Sequence, residues 1–225
     1  MNPPVILRFF NRSVGFFDLP EEFDPTISFL SLNQVHGSDV LVLDRRPQGT
    51  ETNMKEPYDG VVTLLSEIAL TIHTADCLPL LAHGDGVIGA CHAGWRGLSQ
   101  NIVENWIGKM GTLGARKENL KVFIGPSIGP CHFEVTREVG AKIVSSKEFP
   151  VKFLGSLRRD HPDPNKEFID LRAVARFKLS RLGIQTHNMQ ISEECTYCRP
   201  NLYYSYRRDG ARPGRLEAVI VKSRD

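Results

Sequence analysis

Two apolar runs, residues 78–82 and 87–91, flank the turn-forming stretch His83-Gly84-Asp85-Gly86. This pattern constrains the fold more than any other, because Gly and Asp between two strand-like runs read as a hairpin turn. Pro79, Leu81, Ile88 and Ala90 fall on one face of the hairpin, and Leu78, Leu80, Ala82, Val87 and Cys91 on the other. A hairpin apolar on both faces belongs in the interior, with a layer packed on each side. With the turn centred between Gly84 and Asp85, Cys77 faces His92 directly at the open end, with Cβ atoms about 4.5–5.5 Å apart. A turn centred on Asp85-Gly86 shifts the register and breaks that pairing.

The rest of the chain supplies the covering layers. Apolar runs bounded by turn residues predict further strands at 5–10, 27–32, 39–43, 60–64, 69–73, 122–125 and 217–221. Helical spacing predicts helices at 98–110, 135–144 and 171–182, the last opened by Asp170 as N-cap and stopped at Gly183. Residues 47–58 and 160–167 read as loops. Strand-like segments lie on both sides of each loop and composition does not shift. The expectation is an α+β fold, layered mixed sheets flanked by helices, in a single domain over residues 1–225.

Composition excludes several classes of partner. The 225 residues carry a net charge of only +2, without the basic excess of a general nucleic-acid binder. No apolar run approaches the ~20 residues that span a bilayer, and the first residues lack the layout of a signal peptide. These observations predict a cytoplasmic protein with no nucleic-acid and no membrane partner. In that setting the five cysteines serve as buried hydrophobes, metal ligands or nucleophiles rather than as disulfides.

Cys77 and His92 taken alone fit a buried structural pair, a metal site or a Cys-His nucleophile. A third residue narrows this. His36 sits in Asn33-Gln-Val-His-Gly-Ser-Asp39, a turn between two predicted strands. One thiolate and two imidazoles make a zinc-binding set, with a fourth position left for water. After His92, Gly94 and Gly97 allow a tight strand-to-helix turn.

These residues lie in stretches that resemble the YfiH-like proteins with a laccase domain, variously described as multicopper polyphenol oxidases, purine nucleoside phosphorylases and peptidoglycan-editing factors. The matching stretches are Gln34-Val-His-Gly37, Asp59-Gly-Val-Val62, Thr74-Ala-Asp-Cys-Leu-Pro79, His92-Ala-Gly-Trp-Arg-Gly97, Gly125-Pro-Ser-Ile-Gly129 with Phe133-Glu-Val135, and Tyr204-Ser-Tyr-Arg-Arg-Asp-Gly210. They occur in the family's order. The resemblance implies a YfiH-like fold and a zinc ion on His36, Cys77 and His92. It implies a purine nucleoside and phosphate as partners, with phosphorolysis of adenosine, inosine and methylthioadenosine and deamination of adenosine as activities. Copper enters by the family label only. The family's Arg-x-Gly-Gly element has a partial counterpart in Phe10-Asn-Arg-Ser-Val-Gly15, where Arg12 stands for the arginine.

Zinc lowers the pKa of a bound water to ~7, which makes hydroxide available for attack on purine C6. Asp76 and His73 are candidates for proton transfer. Asp76 also fits a turn cap, and His73 a satisfied core histidine. Arg96, Arg207, Arg208 and Arg12 are candidates for holding phosphate, because guanidinium matches its oxygens in bidentate geometry. On a strand, only one of Arg207 and Arg208 would face a cleft. The aromatic run 203–206 fits sheet packing or a stacking platform.

Two alternatives remain open. In a metal-free Cys-His hydrolase acting on an amide, Cys77 is nucleophile and His92 base. A multicopper oxidase needs His-x-His pairs, and none of the seven histidines forms one. Cys195-x-x-Cys198 has no second CxxC and no nearby histidine, so it reads as incidental, a local disulfide or a functional thiol. Cys131 and His132, as sequence neighbours, are expected to point apart.

Overall fold

A computed structural model of the chain describes residues 5–10, 27–47, 49, 51–145, 148–211 and 214–223. The strands in chain order begin with β1 (Val5–Phe10), β2 (Ser28–Asn33), β3 (Val40–Leu43), β4 (Glu51–Pro57), β5 (Gly60–Thr63), β6 (Ile68–Thr74) and β7 (Leu78–Gly84). They continue with β8 (Val87–Ala93), β9 (Lys121–Ile124), β10 (Glu134–Thr136), β11 (Arg158–Asp160), β12 (Lys166–Ile169), β13 (Met189–Ile191) and β14 (Leu216–Lys222). The α-helices among the described residues are α1 (Trp95–Ser99), α2 (Ile102–Thr112), α3 (Arg137–Ile143), α4 (Val151–Leu157), α5 (Leu171–Arg181) and α6 (Tyr206–Asp209).

The strands form three sheets, ordered β1-β14-β6-β2-β4, β13-β9-β7-β8-β5-β3 and β10-β12-β11. Parallel and antiparallel pairs mix within the first two. This is the expected α+β arrangement of layered mixed sheets with helices.

The β7–β8 hairpin is central, as its two apolar faces require. Leu81, Ile88 and Ala90 join Leu30, Leu70, Ile72 and Ile220 in a core between the two large sheets. Leu78, Leu80, Ala82, Val87 and Cys91 join Trp106, Ile107, Val174 and Leu179 in a second core under the helices. The register differs from expectation. Pro79, not Cys77, lies opposite His92, and Gly84 pairs with Val87, so the turn is Asp85-Gly86. Asp85 and Gly86 both have positive φ, 48° and 80°, as a tight primed turn requires. The slip is two residues, so every side chain keeps its face.

Other elements depart from expectation: β10 to β13 and α4 were not foreseen, and the loop read at 160–167 begins in β11 and ends in β12. Residues 51–57, read as loop, form β4, a polar strand at the sheet edge, where a buried-face alternation is not required. The helix expected at 98–110 is broken into α1 and α2 by Asn101, held left-handed at φ 65°. Residues 203–210 form no strand; Ser205 caps α6 by accepting from the amide of Arg208. By contrast α5 begins as read, with the Asp170 carboxylate accepting from the amides of Arg172 and Ala173 at 3.0 and 3.1 Å. No helix among the described residues is long and apolar enough to cross a membrane.

Candidate metal centre

The nitrogen and sulfur atoms of His36, Cys77 and His92 lie within 4.8 Å of one another. His92 comes from the end of β8, Cys77 from the bend just before β7, and His36 from the turn after β2. The hairpin brings the first two together even in the corrected register, because Cys77 and His92 share a face and lie on a diagonal.

The organiser of the third ligand is Asp59, whose role the sequence did not disclose. Its fully buried carboxylate accepts from the amides of Val35, His36 and Gly37 at 3.2, 3.0 and 2.6 Å. It also lies 2.7 Å from Nδ1 of His92. One carboxylate therefore folds the Gln34-Val-His-Gly37 turn and fixes the His92 ring. A carboxylate on Nδ1 holds the proton there and leaves Nε2 to face the centre, the usual arrangement behind a metal-binding histidine. Further supports complete the turn. Gln34 clamps the backbone of His73 through two 2.8 Å hydrogen bonds, and Asn105 of α2 donates to the carbonyl of Ser38. His36 adopts φ 63°, a left-handed conformation sustained by this network.

Electrostatics match the geometry. Burial pushes the Cys77 thiol up, but hydrogen bonds from His36 and His92 outweigh it and bring the thiol down to about 6. Burial pushes His92 down, and the bonds to Asp59 and Cys77 reverse that and raise it to about 9. Gly94 leaves the room: a Cβ there would come within 3.1 Å of both Cys77 Sγ and His36 Cδ2.

The other expected site residues divide. Asp76, the residue before Cys77 and at φ 93°, accepts from Thr196 Oγ1 at 2.6 Å, Ser205 Oγ at 3.1 Å and the Arg207 amide at 2.8 Å. Its two oxygens thus anchor the 196–207 segment beside Cys77. Arg207 spends its guanidinium on the carbonyls of His132 and Glu134, and Arg208 on those of Thr196, Tyr197 and Tyr203. Both lie on helix α6, not on a strand. Arg96 is exposed and lies over the Trp95 ring at 4.6 Å. His73 sits 3.2 Å from Ser31 Oγ and 3.6 Å from Glu217, as a satisfied histidine within the sheet. Arg12 lies outside the described residues. A concavity of about 850 Å³ lined by residues 38–40 and 56–58 and by α2 contains none of the three ligating side chains.

Cys131 and His132 do not point apart. They lie in a loop, as expected, but at a turn that folds the two side chains together, and His132 Nδ1 lies 3.2 Å from Cys131 Sγ. Cys195 and Cys198 converge on the same pair, so a histidine near the CxxC does exist in space.

Comparison with known proteins agrees with this architecture. A purine nucleoside phosphorylase of Xylella fastidiosa is 37% identical over 190 residues, 84% of this chain and 70% of that protein. A protein of an unknown prokaryotic organism named adenosine deaminase RL5 is 31% identical over 195 residues, 84% of this chain and 73% of its own length. The crystal structure of YlmD from Geobacillus stearothermophilus superposes with a TM-score of 0.77 at 28% identity, over 89% of this chain and 75% of that one. Residues 20–223 match the family described as multi-copper polyphenol oxidoreductase laccase, and the chain belongs to that family.

Proposed function

We propose that this chain is a zinc-dependent enzyme of purine nucleosides, catalysing phosphorolysis of adenosine, inosine and methylthioadenosine and deamination of adenosine. The observation that carries the metal is the convergence of His36, Cys77 and His92 with Asp59 behind the ring of His92. The donor set suits zinc: one soft thiolate and two imidazoles, three protein ligands rather than four. The nucleoside rests on the names of the relatives.

When bound, zinc supplies Lewis acidity and lowers the pKa of a water it holds. The chain's own residues do the rest. Asp59 holds the proton on Nδ1 of His92 and keeps Nε2 directed at the centre. Arg96, exposed two residues after the glycine that touches Cys77 and His36, offers its guanidinium to phosphate, with the Trp95 ring supporting it. Asp76 and Arg207 are positioning residues: the first holds the 196–207 segment against the Cys77 bend, and the second ties that segment to residues 132–134.

A second reading has its own support. Without metal, Cys77 and His92 form a thiolate–imidazolium pair, as in a Cys-His hydrolase. There Cys77 Sγ would attack an amide carbonyl and His92 would give its proton to the departing amine.

Metal analysis of the purified protein beside a chromatographic assay of adenosine separates the two. Zinc-dependent turnover gives adenine only when phosphate is present, and inosine without it. Cys77→Ala should lose the zinc and more than about 100-fold of the activity. No turnover of any nucleoside favours the hydrolase, whose cleavage of an amide should survive chelation but not alkylation of Cys77. Turnover retained in Cys77→Ala refutes both.

Metal uptake should also be pH-dependent in a defined direction. Between about 6 and 9 the metal-free site holds a Cys77 thiolate and a His92 imidazolium. Zinc must displace the His92 proton, so affinity rises with pH through this window and levels off above about 9. Below about 6 the thiol must ionise as well, and the dependence steepens. Titration calorimetry in buffers of different ionisation enthalpy reads the released protons. Affinity that falls between pH 7 and 8 would contradict the assignment.

A further inference from the structure

Cys131, His132, Cys195 and Cys198 place their ligand atoms within 4.8 Å of one another. None of them belongs to the His36-Cys77-His92 centre. Cys131 and His132 come from the turn following β9, and Cys195 and Cys198 from the segment between β13 and α6. We propose that these four side chains form a second zinc site, closed and structural, which fixes the loop layer around the first centre.

The separations fit a shared cation. In a tetrahedral site with Zn–S near 2.3 Å, two sulfurs stand about 3.8 Å apart. Cys131 Sγ and Cys198 Sγ are 3.7 Å apart, and His132 Nδ1 lies 3.2 Å from the first and 3.3 Å from the second. All five cysteines of the chain are free thiols. Three cysteines and one histidine, with no position left open, are the ligand set of structural rather than catalytic zinc.

The surroundings of Cys195 favour its thiolate, whereas burial pushes the Cys131 and Cys198 thiols up. The Gly129 amide donates to Cys195 Sγ at 3.2 Å, and the Cys198 amide also lies within reach of that sulfur. Amides aimed at the first sulfur of a CxxC turn stabilise its charge. The His132 ring is fixed by stacking on Tyr197, with centroids 3.9 Å apart and planes at 17°. Ser127 and Cys195 form a parallel bridge, and the Thr196 amide donates to the Ser127 carbonyl, so the two loops are already in register.

The position gives the site its consequence. Thr196 lies between the two CxxC cysteines and donates to Asp76, the neighbour of Cys77. The His132 carbonyl receives Arg207, whose amide also binds Asp76. An ion on the four ligands would join the two loops that hold the Cys77 bend.

Zinc counting on the full chain, expressed with zinc and desalted, tests this directly. Wild type should carry two zinc ions, and both His36→Ala/Cys77→Ala and Cys131→Ser/Cys198→Ser should carry one each. X-ray absorption at the zinc edge should find three sulfurs and one nitrogen in the His36→Ala/Cys77→Ala protein. If that variant folds, by circular dichroism, and holds no zinc, the proposal is overturned. A Cys131–Cys198 disulfide in protein purified without oxygen overturns it as well. Should either variant fail to fold, the wild-type sulfur-to-zinc ratio decides: an average of two sulfurs per zinc at two ions per chain supports the site, and a single ion with one sulfur removes it. One ion in wild type that persists in His36→Ala/Cys77→Ala supports this site and refutes the catalytic zinc, so the two readings fail separately.

Discussion

Asp59→Ala is expected to lower the unfolding midpoint by about 10 °C and zinc affinity by about 100-fold. The substitution strands three amides, those of Val35, His36 and Gly37, together with Nδ1–H of His92. An unmade hydrogen bond at a buried donor costs about 1–3 kcal/mol. The turn residues are partly exposed and water replaces some of these bonds, so about 3–4 kcal/mol in total is expected. At roughly 2–4 °C per kcal/mol for a chain of this size, that gives the stated shift. Loss of a carboxylate behind a ligating histidine costs about 10–100-fold in metal affinity. Here the same carboxylate also folds the turn that carries His36, so the upper end applies. Asp59→Asn keeps one acceptor and should fall between. Wild-type melting together with full zinc content in Asp59→Ala would show that the carboxylate organises nothing.

Gly94→Ala separates the centre from the fold. The residue has φ −71° and ψ 167°, a backbone open to any amino acid, so alanine brings no conformational strain. Its Cβ would stand 3.1 Å from Cys77 Sγ and from His36 Cδ2, and 3.8 Å from His92 Cε1. The ligands must then give way by a few tenths of an ångström, in a site whose donor separations set the affinity. Zinc binding should weaken by more than about 10-fold, while the metal-free protein melts within about 1 kcal/mol of wild type. Competition with a chromophoric chelator and melting in the presence of excess chelator give the two numbers. Unchanged affinity would mean that the three side chains do not act together on one ion.

The interior hairpin was legible because its pattern of apolar residues has the period of a strand on both faces. The turn was placed one residue early, since Gly84-Asp85 and Asp85-Gly86 are equally good turn chemistry; that moves each cross-strand partner by two residues, and faces survive an even slip. That is why Cys77 and His92 were correctly brought together from an incorrect register. Asp59 stayed hidden: it is 23 residues from His36, and only its place at the head of the fully buried run Gly60–Thr63 hints that its charge needs partners indoors. The 131–198 cluster was missed because sequence neighbours usually diverge, whereas the turn at Cys131 and His132 folds their side chains together. Strand β4 escaped because an edge strand facing water carries no buried alternation. Asn101 broke a helix whose apolar spacing runs unbroken through it, since spacing records the buried face and not the backbone path.

The order β1-β14-β6 has a consequence for how the chain acquires its shape. Strand β14, which follows the other described strands in the chain, is wedged between β1 and β6, pairing with both along most of its length. While residues 216–222 are still inside the ribosome, the edge of β6 has no neighbour and β1 has nowhere to dock. The nascent polypeptide must hold apolar strands such as Ile68–Thr74 in waiting until residues 216–222 have emerged, an interval in which such edges are most exposed to aggregation.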